Sequence, residues 1–331
     1  MRILTEKVYY SAKTDILSGN HDITLDQDFY MEHGQSFHNQ NLQDPQVNMN
    51  LVKSFHGIHM LNHEYKEIDM HIGSGRRTCL RVFGSPYSPR RGHWAFGYDT
   101  DMASTEGGTG MAPLWNHVPL NTDILVTHTP PKSHCDEFGG EARGCESLRQ
   151  ALWRIRPSLA ICGHVHEGRG VERVSWDLSS SNVSHKEDAT DYWDDPSLDN
   201  KKQSLINLTA KGTHPLRNRG PCEMLTGSPI GLIDQDTPEQ PKFDAGQGQL
   251  QGLGGDPRSI RRDVEALDGR LERKETCIVN AAIMATSWPY KTTQSGRRKY
   301  NKAIVVDLDL PTWESSMGIQ PDESEAHQSH Q

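Results

Sequence analysis

Two apolar runs, DILVTH at 123–128 and SLAICGH at 158–164, each end in a histidine, and GCESLRQALWRIRP at 144–157 lies between them. In that intervening segment Leu148, Leu152 and Ile155 recur at helical spacing, and Pro157 halts the helix because it lacks an N–H and clashes with the preceding turn. The order is therefore strand, helix, strand, which commits the chain to an α/β architecture. Both strands discharge into histidine-bearing turns at their carboxyl ends, the edge at which open α/β sheets carry their sites.

Further buried strands are expected at TCLRVFG (78–84), TCIVNAAIM (276–284) and KAIVVDLDL (302–310), each an apolar run bounded by turn signals. A weaker strand, TDIL, leads into GNHD at 19–22. Between residues 175 and 257 the texture turns to Ser, Asp, Gly, Pro and Gln, which reads as a polar, largely unstructured insertion. The chain thus divides into a first core part (1–174), the insertion (175–257), a second core part (258–311) and an unstructured tail (312–331). A helix is expected over 258–272, where Ile260, Val264, Leu267 and Leu271 share a face. Mean hydropathy of −0.72 and 34% hydrophobic content agree with a core carrying polar appendages.

The formal charge of −9 opposes a protein that tracks a nucleic-acid backbone, though not one that takes a small phosphorylated ligand. Cys79, Cys135, Cys145, Cys162, Cys222 and Cys277 form no CxxC pair, as expected of reduced thiols rather than a disulfide scaffold. No apolar run reaches the length of a membrane span and Met1 is followed by no secretory apolar stretch, so a cytoplasmic protein without membrane or nucleic-acid partners is expected.

Seventeen histidines make metal ligation the first chemistry to look for. CGHVHEGRG at 162–170 sets His164 and His166 two apart in one turn, a spacing that can feed two neighbouring ions. VTHTPP at 126–131 ends its strand in His128, and the Pro pair stiffens the loop that carries it. With GNHD, THTPP and CGHVHEGRG in this order, the chain resembles the calcineurin-like metallophosphoesterases, and more narrowly the fungal relatives of the metallophosphoesterase domain-containing proteins. The likeness extends from about Asp15 to Pro311, interrupted by the polar insertion.

That resemblance implies a β-sandwich flanked by helices and hydrolysis of a phosphomonoester or phosphodiester. It implies that Asn20, His128 and His164 ligate one divalent transition ion (Mn, Fe or Zn), that His166 ligates a second, and that His21 protonates the leaving group while Asp22 orients it. The family pattern also opens with a D-x-H strand and a G-D turn, and neither is found in the eighteen residues before Gly19. The chain accordingly reads as truncated at its amino end or as having a misassigned start, with one ion or none. The competing expectation is an impaired pseudoenzyme or binding protein that keeps a partial metal site. The side chains that bind substrate are not specified by any motif.

Weaker candidates stand beside these. His56, His59, His63 and His71 lack Cys partners at zinc-finger spacing. The Gly-rich GSGRRTC at 73–79 lacks the Lys and Ser/Thr of a phosphate-cradling loop. Arg90, Arg91, His93 and Trp94 form either a solvated loop or a rim that meets a substrate phosphate. Cys135 is expected to be a packed thiol, and Asn280 falls near the active edge without an assigned role.

Overall fold

The computed structural model describes residues 14–72, 76–100, 113–177, 185–193, 202–218, 273–285 and 300–314. The chain opens with β1 (Thr14–Leu17), α1 (Gln27–Phe37), α2 (Pro45–Ser54) and β2 (Ile58–Leu61), followed by the long hairpin of β3 (Glu64–Ile72) and β4 (Arg76–Ser85). Short pieces follow: β5 (Ser88–Pro89) beside β6 (Gly97–Tyr98), then α3 (Pro113–Asn116). The strand–helix–strand unit is β7 (Ile124–Thr127), α4 (Glu146–Ile155) and β10 (Leu159–Cys162), with the small hairpin β8 (Glu137–Phe138) and β9 (Glu141–Ala142) in between. Then come β11 (Gly170–Trp176), β12 (Glu187–Tyr192), β13 (Gln203–Asn207), β14 (Glu275–Asn280), β15 (Ala303–Asp307) and β16 (Trp313–Glu314).

The main sheet runs β12-β11-β14-β10-β7-β4-β16, with β3 also on β4. Its centre is parallel: β4 pairs with β7, β7 with β10 and β10 with β14, so these strands all deliver their carboxyl ends to one edge. Period-two alternation splits their side chains between two cores. Phe83, Leu125, Ala160 and Ile278 pack toward α4, whose Leu148, Leu152 and Ile155 fill that side. Val82, Ile124, Leu159, Cys277 and Val279 face the other way, against Leu61 of β2, Ile206 of β13 and Val306 of β15. The parallel pairs β1-β2 and β13-β15 thus form a second layer over the main sheet, and the architecture is a mixed α/β sandwich with helices flanking it.

The interval 175–257, expected to be largely unstructured, holds two strands: β12 adds to the edge of β11, and β13 pairs with β15. Neither carries the apolar alternation that announces a strand, because β12 is an edge strand open to solvent and is held by backbone hydrogen bonds. Similarly, β16 lies inside the stretch 312–331 expected to be an unstructured tail, pairing with Arg76 and Arg77 of β4. The helix expected over 258–272 lies outside the described residues. Cys79, Cys135, Cys145, Cys162 and Cys277 are free thiols, Cys135 held in the neutral form by burial and the neighbouring Glu172; Cys222 lies outside the described residues. No helix among the described residues is long and apolar enough to cross a membrane.

Candidate metal centre

Three turns at the carboxyl edge bring the motif residues together. Gly19, Asn20 and His21 follow β1, His128 follows β7, and His164 and His166 follow β10. Backbone bonds fasten the turns to one another: His128 N–H donates to Ser85 C=O at 3.1 Å, and Gly163 N–H to His128 C=O at 3.1 Å. The buried Asn20 presents Oδ1 to His128 Nε2 at 2.8 Å, and the His128 and His164 rings lie 4.7 Å apart. His166 and His21 stand within electrostatic range of both rings.

This proximity depends on a residue without a side chain. A Cβ built on Gly19 would stand 2.5 Å from His128 Cε1 and 2.8 Å from its Nδ1. Gly19→Ala is therefore expected to push the ring off Asn20, destabilising the fold by roughly 1–3 kcal/mol through overpacking. Gly163→Ala, whose Cβ meets nothing within 4 Å, should change stability by less than about 0.5 kcal/mol. Urea unfolding midpoints of the two variants compare the effects directly.

His164 occupies the left-handed region at φ 64°, uncommon for a residue with a Cβ, while Val165 N–H donates to Gly163 C=O at 2.7 Å across it. The fully buried Asn280 holds this turn in place. Its Nδ2 donates to Cys135 C=O and Val165 C=O, both at 2.8 Å, and its Oδ1 accepts from Ala282 N–H at 3.0 Å. Asn280 thus acquires a role: at the end of β14 it ties the histidine turn to the Cys135 loop.

His21 is exposed, and its ring meets Trp94 edge-on with centroids 4.2 Å apart. Burial and the charge of His166 lower its pKa, opposed by the nearby Asp22 carboxylate. Asp22 Oδ2 accepts from Gly19 N–H at 2.7 Å and so fastens the turn, while toward His21 it acts through its charge. Burial, together with the neighbouring imidazoles, pushes His128 down to about 3 and His164 to about 4, so both rings are neutral with lone pairs to offer.

As a donor set, Asn20 Oδ1 and the His128 and His164 imidazoles suit a borderline divalent transition ion. The 2.8 Å between Asn20 Oδ1 and His128 Nε2 is near the roughly 3–3.4 Å that separates two ligands of one such ion. The fit extends to a single ion held by neutral donors. Among the described residues no three His, Cys, Asp or Glu side chains form a metal-holding group, and no carboxylate acts on the His128 and His164 rings. Asp15, the acid nearest upstream of the motif, is taken by Lys66 at 2.5 Å. His59 sits between Asp15 and Glu64, and His63 bonds Ser85 Oγ and packs on Phe83, so the sequence-level histidine pairs at 56–71 do not gather. A cleft beside Asn20 and His164 is lined by Arg90, Arg91 and Trp94, which the sequence left without a place.

The fold agrees with the comparison with known proteins. The calcineurin-like phosphoesterase family matches residues 1–168, and the chain belongs to that family. A probable rhamnogalacturonate lyase C of Emericella nidulans is 36% identical over 165 residues, 49% of this chain and 13% of that protein. A UPF0046 protein of Caenorhabditis elegans is 43% identical over 92 residues, 28% of this chain and 29% of that one. The human metallophosphoesterase domain-containing protein 1 is 30% identical over 162 residues, 47% of this chain and 45% of that one. The chain therefore spans less than half the length of each of these relatives.

Proposed function

We propose that this chain is a metal-dependent phosphoesterase that hydrolyses a small phosphomonoester or phosphodiester. The observation that carries the reading is the meeting of Asn20, His128, His164 and His21 at one sheet edge, with Asn20 and His128 2.8 Å apart. Asn20, His128 and His164 would hold a divalent transition ion (Mn, Fe or Zn), with His166 directed to a second position. Bound there, the ion supplies Lewis acidity and a water acidic enough to attack phosphorus near neutral pH. The chain's own contribution is the proton: His21, braced by Trp94, stands at the open side of the cluster and delivers it to the departing alkoxide. Asp22 keeps the turn closed through Gly19 and favours the protonated ring by its charge. A cytoplasmic setting accompanies this reading, supported by free thiols at all described cysteines.

The test is hydrolysis of p-nitrophenyl phosphate and bis-p-nitrophenyl phosphate by the full chain, with metal content measured alongside. The expected result is turnover that disappears on chelation and returns with Mn. One observation favours a second reading, an impaired relative that binds an ion without turning over: no carboxylate among the described residues acts on the His128 and His164 rings. Bound metal with no turnover above that of a His128→Ala variant would decide for it.

A further inference from the structure

The loop after β4 is held firmly at its base. Ser88 N–H donates to Phe96 C=O at 2.9 Å, Arg90 N–H to Tyr98 C=O at 2.8 Å, and Phe96 N–H to the Asp26 carboxylate at 2.7 Å. Two adjacent arginines project from it into the cleft that also contains Asn20 and His164, and they differ in one respect. Arg90 is occupied: its Nε donates to Asp99 Oδ1 at 2.8 Å and an Nη to Gly97 C=O at 2.9 Å. Arg91 makes no hydrogen bond or ion pair among the described residues, yet its charge reaches His164. Asn20 carries no charge and Arg90 is held by Asp99 and Gly97, so among the described residues Arg91 is the uncompensated cation of the cleft.

Resting on the phosphoesterase reading, we propose that Arg91 anchors the phosphoryl group, bonding two of its non-bridging oxygens and making the cleft select a phosphomonoester dianion over a diester monoanion. A guanidinium matches two phosphate oxygens with parallel N–H donors, and its attraction grows with the second negative charge. A diester carries one negative charge less and has a second oxygen esterified, so its two remaining non-bridging oxygens attract the guanidinium more weakly. Because Arg91 is exposed and Gly92 beside it supplies the turn at φ 72°, its replacement leaves the loop's base bonds untouched.

The test uses inorganic phosphate as the probe, titrated into the metal-stripped full chain and followed by calorimetry or phosphorus NMR line width. Arg91→Gln should weaken phosphate binding about tenfold, and Arg90→Gln by less than about twofold, with the wild-type affinity falling as salt is raised. In the metal-loaded chain, Arg91→Gln should raise KM for p-nitrophenyl phosphate about tenfold with kcat within about threefold, and raise KM for the bis ester by no more than about threefold. Equal phosphate binding by wild type and Arg91→Gln, no binding by the wild type, or an equal loss in Arg90→Gln overturns the proposal. Absence of metal-dependent hydrolysis in the wild type overturns the phosphoesterase reading alone, since the phosphate titration needs no turnover.

Discussion

With His21 replaced by alanine, hydrolysis of an alkyl phosphate such as glycerol 2-phosphate should fall by roughly 10²–10⁴, while p-nitrophenyl phosphate loses far less. The reasoning lies in the leaving groups. An alkoxide is too basic to depart unprotonated, so its expulsion depends on a donor in the transition state. A nitrophenolate is stable without a proton and leaves unaided. The position of His21 suits donation: the ring is exposed at the mouth of the cluster, edge-on to Trp94 at 4.2 Å, with Asp22 supplying a negative charge beside it. Measuring kcat for both esters in the wild type and His21→Ala separates proton donation from a structural role, because a merely structural loss would lower both by the same factor.

Much of this site was legible because its residues sit where an apolar run stops. A buried parallel strand reads as consecutive hydrophobic residues, and the first polar side chain after it marks the carboxyl edge. In DILVTH and SLAICGH that residue is or soon becomes a histidine, so strand position and candidate ligand were read together. What the sequence could not convey is how distant residues brace those turns. Gly19 matters through the His128 ring that would collide with a Cβ there. Asn280 matters through two carbonyls, of Cys135 and Val165, that only the pairing of β10 with β14 brings within reach. The second layer was half hidden, since β1 and β15 fall in the expected strands TDIL and KAIVVDLDL but their partners β2 and β13 do not. Its strand β13 has exposed and buried positions in QSLIN without a long apolar run, and α2 buries none of its residues, being marked chiefly by the Asp44 side chain that caps Gln46 and Val47. Arg91 lay in a motif noticed from composition alone, and its distinction from Arg90 rests on Asp99, which no periodicity connects to either.

His134 stayed invisible for the same reason, and the steepest dependence of stability on pH is expected from it. Only 2% exposed, it carries a proton on each ring nitrogen in the charged form, donating from Nδ1 to Glu172 at 2.7 Å and from Nε2 to Glu187 at 3.1 Å. Arg149 also donates to Glu187, and Glu172 accepts Cys135 N–H at 2.7 Å, so the network joins α4, β11 and β12 to the Cys135 loop on which Asn280 hangs the histidine turn. Burial alone would lower the His134 pKa, but the hydrogen bonds and charges of Glu172 and Glu187 overcome it and raise the value from 6.5 to about 9. A group raised in the folded state contributes stability that is complete below its unfolded pKa and disappears as pH climbs through its folded one. Stability should therefore decline between about pH 6.5 and pH 9, by something on the order of 3 kcal/mol. On the acid side, burial pushes Glu187 up but His134 and Arg149 bring it below its ordinary 4.5, so its contribution is lost as pH falls below that range. His134→Leu strands the Glu172 carboxylate, itself 3% exposed, without its cationic partner, and should destabilise the protein by roughly 3–5 kcal/mol at pH 6. Denaturant unfolding across the pH range checks both parts: the variant starts lower and loses the decline above pH 6.5. A decline of undiminished slope in His134→Leu would assign the titration to another group.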